Sequence, residues 1–440
     1  MKPTPDSTPT TELFGSYVVP NYGRFPMALA RGQGAWVWDE EGRKYLDFGA
    51  GIAVCSIGHC HPRVVEVMSR QAGELVHTSN LYYTRPQGLL ARKLVELVGI
   101  PGKIFFCNSG AEANEALYKI ARKFGNETRP PAPEHVAGEV VEQPRHRHKI
   151  ITFTGSFHGR TLAGISATGQ EKVKKGFEPM VEGFVHVPFN DAPALLSEMD
   201  GDIAAVLLEP VQGESGIYPA TAHFLRTARS ICDDFGALLM FDEVQCGLGR
   251  TGEWGGWRSI APDVTPDAIS WAKGIAGGFP LGAVWVRDRE LTLNGEGTVS
   301  LANLLGPGSH GTTFGGTPLV CAGALEVLSV IEEEGLLQNA VTLGAFAKSA
   351  IEAIGSPLIA EVRGLGLMLG IQLAADFAQR AGCGDTAPSL WLVSRLHDAG
   401  MLTIPAGASA IRWLPPLNVT RQEVAQAVDI LARVLEKAVL

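Results

Sequence analysis

Residues 270–278 read Ser-Trp-Ala-Lys-Gly-Ile-Ala-Gly-Gly, which places Lys273 between an apolar run and a glycine cluster. Upstream, residues 238–245 read Leu-Leu-Met-Phe-Asp-Glu-Val-Gln, and this pattern predicts a buried strand that ends at Asp242. Each feature alone is common, because a lysine before glycines is usually a solvated loop residue and an acid after a strand often caps a helix. Together they indicate that a lysine and a carboxylate meet at one edge of a sheet.

A lysine and a carboxylate in this arrangement suit the chemistry of pyridoxal 5'-phosphate (PLP). The lysine amine can form a Schiff base with the aldehyde of that cofactor, and a buried acid can hold the pyridinium nitrogen in its protonated form. Such a site also needs a turn that binds phosphate, an aromatic side chain against the ring and cations for substrate carboxylates. The rest of the chain offers a candidate for each of these parts.

The candidate phosphate site lies at residues 103–115, Lys-Ile-Phe-Phe-Cys-Asn-Ser-Gly-Ala-Glu-Ala-Asn-Glu. The pattern predicts a short apolar strand that ends at Asn108 and a helix that begins beside Ser109 and Gly110. Backbone N–H groups at a helix N-terminus, together with the helix dipole, form an anion site. The alternative is an ordinary strand–helix turn in which Ser109 only caps the helix.

Two further strand ends carry polar groups. The strand predicted at 149–153 leads into Phe157 and Arg160, which suit ring stacking and carboxylate binding, although core packing and a surface ion pair are the ordinary explanations. The apolar run 204–208 leads into residues 209–216, Glu-Pro-Val-Gln-Gly-Glu-Ser-Gly. Because the carboxyl ends of parallel strands lie at one edge of a sheet, these groups are expected near Lys273.

The composition limits the classes of protein to consider. The chain has 440 residues, a formal net charge of -9 and no basic stripe, which argues against a nucleic-acid partner. No apolar run approaches the ~20 residues of a membrane span, and the first residues resemble neither a signal peptide nor a transit peptide. These features predict a soluble cytoplasmic protein with no membrane partner. Among the seven cysteines, Cys107, Cys232 and Cys321 lie in apolar stretches and are expected to be buried, reduced thiols.

One cluster of residues resembles a metal site: Cys55, His59, Cys60 and His61. No second ligand pair follows at zinc-site spacing, and the segment has the Gly and Pro residues of a turn that enters a helix. We therefore expect no metal. Residues 126–149 are rich in proline, charge and histidine, and are expected to form an exposed loop.

Strands that alternate with helices through the middle of the chain predict an α/β fold with a parallel sheet. The pattern changes after residue 319, where two helices precede single strands at 361–371 and 411–416 and a C-terminal helix. This sparser tail indicates a smaller α+β domain, which the short strands near the N-terminus are expected to join. We predict an N-terminal segment at 1–74, a large domain at 75–318 and a small domain at 319–440.

Taken together, these motifs resemble those of the class III aminotransferases, which are PLP enzymes of fold-type I. The resemblance extends from about Tyr22 to the end of the chain and rests on motifs in family order at 108–115, 157–161, 209–216, 241–252, 272–278, 310–316, 361–370 and 411–418. It implies a large PLP-binding domain around a mostly parallel central sheet, with a smaller α+β domain. It also implies a homodimer whose active sites are shared across the interface.

The resemblance implies a role for each matching residue. Lys273 is similar to the lysine that forms the Schiff base and later moves the proton, and Asp242 is similar to the acid that pairs with the pyridinium nitrogen. The other implied cofactor contacts are Ser109, Gly110, Ala111, Phe157, Val244, Gln245 and, at the phosphate of the neighbouring subunit, Thr313. The implied substrate contacts are Arg160, Glu214, Thr312 and Arg412.

Among the substrate contacts, Arg160 resembles the arginine that binds the carboxylate of the amino donor or the distal carboxylate of 2-oxoglutarate. Arg412 resembles the arginine for the α-carboxylate of glutamate, and Glu214 resembles the acid that pairs with Arg412 while a diamine is bound. Masking Arg412 in this way removes an unpaired charge when the pocket holds a neutral chain.

The branch of the family that these motifs resemble most transfers the 5-amino group of N2-acetylornithine to 2-oxoglutarate. That reaction is ping-pong through pyridoxamine phosphate and belongs to arginine biosynthesis. Succinylornithine, N-succinyl-diaminopimelate, ornithine and a carrier-linked lysine stay open as donors, because Ser215, Thr312 and Thr317 depart from the common pattern. A glutamate-1-semialdehyde aminomutase is disfavoured by Arg160 and Arg412. The presence of both Lys273 and Asp242 disfavours a binding protein without activity.

Overall fold

The computed structural model describes residues 8–128, 146–295 and 297–438. The helices are α1 (Thr10–Tyr17), α2 (Ala50–Ala53), α3 (Pro62–Glu74), α4 (Arg85–Val98), α5 (Gly110–Glu127), α6 (Leu162–Ala167), α7 (Ala192–Ser197), α8 (Ala222–Asp234), α9 (Pro318–Glu333), α10 (Leu336–Ala353), α11 (Phe377–Arg380), α12 (Pro388–Asp398) and α13 (Arg421–Ala438). Short 3-10 turns lie at Glu171–Val173, Lys273–Ala276 and Leu301–Asn303.

The strands are β1 (Leu29–Gln33), β2 (Trp36–Asp39), β3 (Lys44–Asp47), β4 (Gly102–Cys107), β5 (Lys149–Phe153), β6 (Phe184–Val187), β7 (Ile203–Leu208), β8 (Val211–Gln212), β9 (Tyr218–Pro219), β10 (Leu238–Asp242), β11 (Ala268–Trp271), β12 (Gly282–Arg287), β13 (Glu290–Thr292), β14 (Thr298–Ser300), β15 (Ile359–Leu365), β16 (Met368–Leu373), β17 (Met401–Leu402), β18 (Ile404–Ala406) and β19 (Ala410–Trp413).

The centre of the molecule is a seven-stranded sheet with the order β4-β12-β11-β10-β7-β5-β6. The run from β11 to β6 is parallel throughout. Every residue of β7 and β10 is buried, which agrees with their unbroken apolar sequences. Continuous apolar strands of this kind form when helices cover both faces of a parallel sheet.

Alternate residues of the central strands pack against helices on opposite faces of the sheet, because successive side chains of a strand point in opposite directions. Leu238 and Met240 lie in one hydrophobic cluster with the inner face of α5. Leu239 and Phe241 lie in a second cluster with Phe224 on α8. Since both faces are filled by apolar side chains, the polar residues of these strands gather at the ends.

Strand β12 is antiparallel to both of its neighbours, β11 and β4. The segment Gly282–Arg287 therefore runs against the rest of the sheet. The connection from β11 to β12 contains only the short turn around Lys273 and no crossover helix, and a connection without a crossover returns the chain antiparallel. The sheet is mostly parallel, as predicted, and the reversal leaves Lys273 at the end of β11.

Two four-stranded sheets contain the N-terminal and C-terminal parts of the chain. The first has the order β1-β2-β3-β17, so strands near residues 29–47 pair with residues 401–402. The second has the order β15-β16-β19-β18 and packs in one hydrophobic cluster with α9, α10 and α13. The domain boundaries after residues 74 and 318 stay a prediction.

The interpretation of residues 361–371 as one strand is wrong. The segment belongs to an antiparallel hairpin of β15 and β16, in which Leu365 pairs with Met368. Gly366 has a φ of 52°, the left-handed conformation that glycine adopts at little cost, and this allows the tight reversal. The apolar residues continue through the turn, which explains why the pattern does not reveal it.

Other sequence predictions have mixed outcomes. Helix α5 extends to Glu127 and β5 begins at Lys149, so most of the predicted loop at 126–149 lies outside the described residues. Cys107, Cys232 and Cys321 are buried free thiols, as expected. His59 Nε2 lies 2.8 Å from Asp47 Oδ2, and His61 Nε2 lies 3.4 Å from Glu334 Oε1. None of the helices in the described ranges is long and apolar enough to cross a membrane.

Candidate active site

A cavity of 420 Å³ opens where β10 and β11 end and α5 begins. Nine of the residues predicted for the site line it: Ser109, Gly110, Ala111, Phe157, Arg160, Asp242, Val244, Gln245 and Lys273. Residues separated by up to 164 positions in sequence therefore meet in one place, because the strand ends of the sheet converge there.

Lys273 begins the 3-10 turn that follows β11 and lies half-buried in the cavity. Its φ is 46°, a left-handed conformation that a residue with a side chain rarely adopts. The turn is held from outside by Ser56, whose Oγ donates a hydrogen bond of 2.8 Å to the carbonyl oxygen of Gly274. Burial, and then the charge of Arg412, lower the pKa of the Lys273 amine. A lowered pKa favours the neutral amine, which can act as a nucleophile or a base.

Asp242 lies at the end of β10 and is only 3% exposed. Its Oδ2 accepts hydrogen bonds from Asn114 Nδ2 at 2.7 Å and from His158 Nδ1 at 2.8 Å, and its Oδ1 accepts from the backbone N–H of Val244 at 3.0 Å. Ser270 Oγ donates to Asn114 Oδ1 at 2.7 Å and so fixes the amide that faces Asp242. These hydrogen bonds satisfy the buried carboxylate and fix its orientation.

Asn114, His158 and Ser270 were not among the predicted site residues. The sequence pattern predicted Asn114 only as a residue of helix α5. His158 lies next to Phe157 in the sequence, but no role was predicted for it. The signal that could have found Asn114 is its place on the helix face that otherwise carries alanines and leucine, because a buried amide needs polar partners.

The N-terminus of α5 points its backbone N–H groups into the cavity. Ser109 is the N-cap, and its side chain accepts a hydrogen bond of 3.2 Å from the N–H of Glu112. A Cβ added at Gly110 would lie 2.8 Å from Val244 Cγ1, so only glycine fits between the helix and the residue after β10. The N–H groups of Gly110 and Ala111, with the helix dipole, form a cradle for an anion.

Phe157 and Arg160 lie on the loop after β5. The backbone N–H of Phe157 donates a hydrogen bond of 3.0 Å to Glu209 Oε2, and this contact fixes the loop at the mouth of the cavity. The guanidinium of Arg160 is exposed and lies 5.5 Å from the centre of the Phe157 ring. An exposed guanidinium at a cavity mouth can bind a substrate carboxylate in a bidentate manner.

Arg412, on β19, is buried and approaches the site from the other side. Its Nη2 forms an ion pair of 2.9 Å with Glu214 Oε2. Its Nη1 donates hydrogen bonds of 3.2 Å to Gln245 Oε1 and of 3.3 Å to the carbonyl oxygen of Gly213. Glu214 is about one-third exposed, so its carboxylate can move toward solvent more easily than Arg412 can. The pair thus has one fixed cation and one displaceable anion.

Thr312 and Thr313 are not part of the cavity lining. Thr312 Oγ1 accepts a hydrogen bond of 2.8 Å from Asn108 Nδ2, next to the start of α5. Thr313 is exposed and has no place in the cavity of its own chain. The structure therefore brings Thr312 near the site and leaves Thr313 on the surface.

A family model described as aminotransferase class-III matches residues 17–435, and the chain belongs to this family. Among known relatives, a protein named acetylornithine aminotransferase from Synechocystis sp. is 42% identical over 98% of this chain and 95% of its own length. A protein named acetylornithine aminotransferase 1 from Bordetella bronchiseptica is 43% identical over 94% of this chain and 96% of its own.

Solved structures of related enzymes have the same fold. The acetylornithine aminotransferase from Elizabethkingia anophelis matches with a TM-score of 0.79 and 32% identity, over 97% of this chain and 98% of its own. The ornithine aminotransferase from Toxoplasma gondii ME49 matches with a TM-score of 0.85 and 32% identity, over 97% and 94%. Class III aminotransferases are PLP-dependent enzymes of fold-type I, so the fold class, the enzyme class and the cofactor predicted from sequence are confirmed.

The residues present in the cavity fit PLP. The N-terminus of α5 offers N–H donors to a phosphate, and Lys273 offers an amine in the same space. Within the described part of the chain, Asp242 Oδ1 accepts one hydrogen bond, from the N–H of Val244, so it keeps a lone pair for a protonated ring nitrogen. The N–H donors, the amine and the carboxylate therefore match the phosphate, the aldehyde and the protonated ring of PLP respectively.

Proposed function

We propose that this chain transfers the 5-amino group of N2-acetylornithine to 2-oxoglutarate, as a step of arginine biosynthesis. The observation that carries the proposal is the pair of arginines, Arg160 and Arg412, one open and one masked by Glu214, around the cavity that contains Lys273. The names of the Synechocystis and Bordetella relatives support the same substrate.

Lys273 is the proposed catalytic base. Bound PLP supplies an electron-accepting ring that stabilises negative charge at the reacting carbon of the substrate. Lys273 Nζ, with its lowered pKa, takes the proton from that carbon as a neutral amine and carries it within the cavity. Asp242, held by Asn114 and His158, would pair with a protonated ring nitrogen of the bound cofactor.

The remaining predicted contacts orient the cofactor. In this proposal Ser109, Gly110 and Ala111 would hold the phosphate, and Phe157 would stack on the ring. Val244 and Gln245 would contact the ring, and Thr312 would contact the cofactor or the substrate. These assignments rest on the cavity lining and on the position of Thr312 beside Asn108.

The two arginines divide the substrate carboxylates between them. Arg160 binds the carboxylate of acetylornithine and, in the second half of the reaction, the distal carboxylate of 2-oxoglutarate. Arg412 stays paired with Glu214 while the neutral chain of acetylornithine is present, and binds the α-carboxylate of 2-oxoglutarate after Glu214 has moved away. Pairing avoids a buried unpaired cation in the first case, which would oppose binding of a neutral chain.

We also propose a homodimer in the cytoplasm. Thr313 is exposed beside Phe314, which is 62% exposed, and a second subunit would bring Thr313 to the phosphate of its partner. Leu81, Tyr82 and Tyr83 form an exposed apolar patch of the kind that interfaces cover. The seven cysteines are all free, which suits a reducing compartment.

Free ornithine is the second candidate donor, because the ornithine aminotransferase of Toxoplasma gondii matches this fold with a TM-score of 0.85. The two donors differ in the charge of the α-amino group, which acetylation neutralises. Arg160 places a cation at the mouth of the cavity, which attracts the carboxylate of either donor and repels the free ammonium of ornithine, and this favours the acetylated donor.

The test is a single half-reaction followed by the visible absorbance of the bound cofactor. Holoenzyme is mixed separately with N2-acetylornithine, ornithine, succinylornithine and glutamate. We expect rapid loss of absorbance with N2-acetylornithine and glutamate. We expect the reaction with ornithine to be at least about tenfold slower, because the cation of Arg160 repels its free ammonium. Rapid reaction with ornithine but not with acetylornithine would overturn the proposed donor and leave the aminotransferase class intact.

A further inference from the structure

The loops that carry the two arginine sites meet at one buried carboxylate, Glu209. This residue directly follows β7, is only 6% exposed and lines the active-site cavity. Its Oε2 accepts a hydrogen bond of 3.0 Å from the N–H of Phe157, on the loop that leads to Arg160. Its Oε1 accepts a hydrogen bond of 3.2 Å from the N–H of Gly213, on the loop that leads to Glu214.

The Gly213 loop is connected directly to Arg412. The carbonyl oxygen of Gly213 accepts a hydrogen bond of 3.3 Å from Arg412 Nη1. A Cβ added at Gly213 would lie 2.4 Å from the side-chain carbon of Gln245, so the loop has no room to move toward Gln245. A shift of Gly213 therefore changes the position of both Arg412 and its partner Glu214.

A second contact joins the same two loops farther from the cavity. Gln212 Nε2 donates a hydrogen bond of 3.0 Å to the carbonyl oxygen of Thr154, and a Cβ added at Gly155 would lie 2.9 Å from Gln212 Oε1. The outer ends of the loops are thus fixed by Gln212. Glu209 lines the cavity, and it contacts both loops with the two oxygens of one carboxylate.

We propose that Glu209 is a positioning residue that sets the distance between the Arg160 site and the Arg412 site, and so matches the pocket to a substrate with two carboxylates. The proposal rests on the proposed function for the roles of the two arginines. A dicarboxylate such as glutamate binds both arginines, so its affinity depends on the distance between the two sites. N2-acetylornithine binds one arginine, so its affinity depends less on that distance.

The surroundings of Glu209 affect how many hydrogen bonds it can accept. Burial and, to a smaller extent, the charge of Asp242 raise the pKa of Glu209 to about 7, although the charge of His158 opposes this rise. Cys246 and Lys273 also interact electrostatically with this carboxyl group. Above pH 7 the ionised group accepts from both N–H donors, whereas below pH 7 the protonated oxygen no longer accepts well.

The test compares Glu209→Gln with the wild-type holoenzyme in single half-reactions. Glutamine has one acceptor oxygen and a donor amide, so it cannot accept from both Phe157 and Gly213. We expect the half-saturating concentration of glutamate to rise about tenfold or more, and that of N2-acetylornithine to rise clearly less. The rate at saturation should change less than about threefold, because Lys273 and Asp242 are untouched.

Glu243→Gln is the matched control. Glu243 is also a buried acid whose pKa burial raises to about 7, and it accepts from the N–H of Trp257, but it does not line the cavity. A general effect of losing a buried acid would raise both half-saturating concentrations equally in both variants. That result, or unchanged values in Glu209→Gln, would overturn the proposal.

The wild-type enzyme provides a measurement that needs no variant. We expect the half-saturating concentration of glutamate to rise as the pH falls through 7, with a smaller rise for N2-acetylornithine, and we expect Glu209→Gln to lack this difference. An equal dependence for both donors in the wild type would overturn the role of Glu209. Reaction with glutamate but not with N2-acetylornithine would instead overturn the proposed donor, and the pH series with glutamate would still test Glu209.

Discussion

At the scale of single residues, the ion pair between Arg412 and Glu214 shows how one side chain can suit two substrates. Arg412 is buried and held by Gln245 and Gly213, whereas Glu214 reaches solvent. The cation is therefore fixed, and in the proposed mechanism the position of the carboxylate would decide whether a substrate meets a charged or a neutralised group. The cost of an unpaired buried cation makes this choice matter.

Glu214→Gln is predicted to shift the preference of the site from acetylornithine toward glutamate. Without its partner, Arg412 attracts the α-carboxylate of glutamate and disfavours a neutral chain. We expect the ratio of the second-order rate constants for glutamate and acetylornithine to rise about tenfold, as expected for a charged hydrogen bond of ~1.5 kcal/mol. Half-reactions with the two donors measure this ratio.

The matched control for that variant is Glu171→Gln, since Glu171 forms an exposed ion pair of 2.7 Å with Lys174 away from the site. If the ratio of the rate constants for glutamate and acetylornithine is unchanged in both Glu214→Gln and Glu171→Gln, then Glu214 does not select between the two substrates.

The residues that the sequence could reveal are those that follow apolar strands. Lys273, Asp242 and Phe157 stand out because a polar or aromatic residue at a strand end lies at the edge where ligands bind. The contact of Asn114 with Asp242 joins residues 128 positions apart and depends on the helix rotation of α5. Periodicity predicts a helix face, but it does not state which buried position carries a partner, so this contact required the structure.

At the scale of elements, the start of α5 is the part of the site most sensitive to backbone position. Gly110 lies against Val244, and the N–H groups that follow are aimed by the helix axis. A change that tilts this helix moves all of its N-terminal donors at once, whereas a side-chain change would affect only one of them.

Gly110→Ala is predicted to weaken cofactor binding without unfolding the protein. The added methyl group would lie 2.8 Å from Val244 Cγ1, which is closer than real contacts, so the helix start or Val244 must move. We expect the dissociation constant for PLP to rise about tenfold, because misaligned N–H donors lose part of a charge-assisted interaction. Titration of apoenzyme with PLP measures it. Gly73→Ala, where a Cβ meets nothing within 4 Å, is the control, and equal affinity in both variants contradicts the prediction.

Element prediction worked best where the apolar pattern is unbroken or has a regular period. The sequence indicates β7 and β10 from continuous apolar runs, and α5 and α13 from apolar residues at helical spacing. The hairpin of β15 and β16 was merged into one strand, and the reversed direction of β12 was not foreseen. Direction and pairing depend on connections and on neighbours across the sheet, which a local pattern does not contain.

At the scale of the whole molecule, the surface around Thr313 predicts a second subunit. Leu81 is 84% exposed, Tyr82 is 69% exposed and Phe314 is 62% exposed. The ring of Phe314 lies 5.1 Å from that of His77, and Asn80 Nδ2 donates a hydrogen bond of 3.0 Å to the carbonyl oxygen of Gly315. The two exposed segments therefore lie side by side, next to the predicted phosphate contact. Apolar side chains grouped in this way mark an interface more often than isolated ones do.

Leu81→Asp is predicted to convert the proposed dimer into monomers that turn over poorly. A buried, unpaired carboxylate would oppose association, and Thr313 would no longer reach a partner. Sedimentation velocity should show the dimer for the wild type and a monomer for the variant, with turnover reduced at least about tenfold. Leu196→Asp changes a side chain that is 51% exposed on α7 and serves as the control. A wild type that sediments as a monomer with full activity contradicts the shared site.

The overall architecture was predictable because alternating strands and helices constrain the fold class strongly. The arrangement of the outer sheets was less accessible. Residues 401–402 pair with residues 46–47, and this pairing across almost the entire chain has no local signal in the sequence. Assembly state likewise depends on a surface that only the folded chain presents.

The left-handed backbone at Lys273 has a consequence for how this sequence can change over time. A φ of 46° is easier for glycine or asparagine than for lysine, so replacement of Lys273 by either one relieves local strain. Selection for stability alone therefore favours loss of the lysine. Descendants released from the need to catalyse should keep the fold and lose this side chain early, and glycine at this position would mark such a lineage.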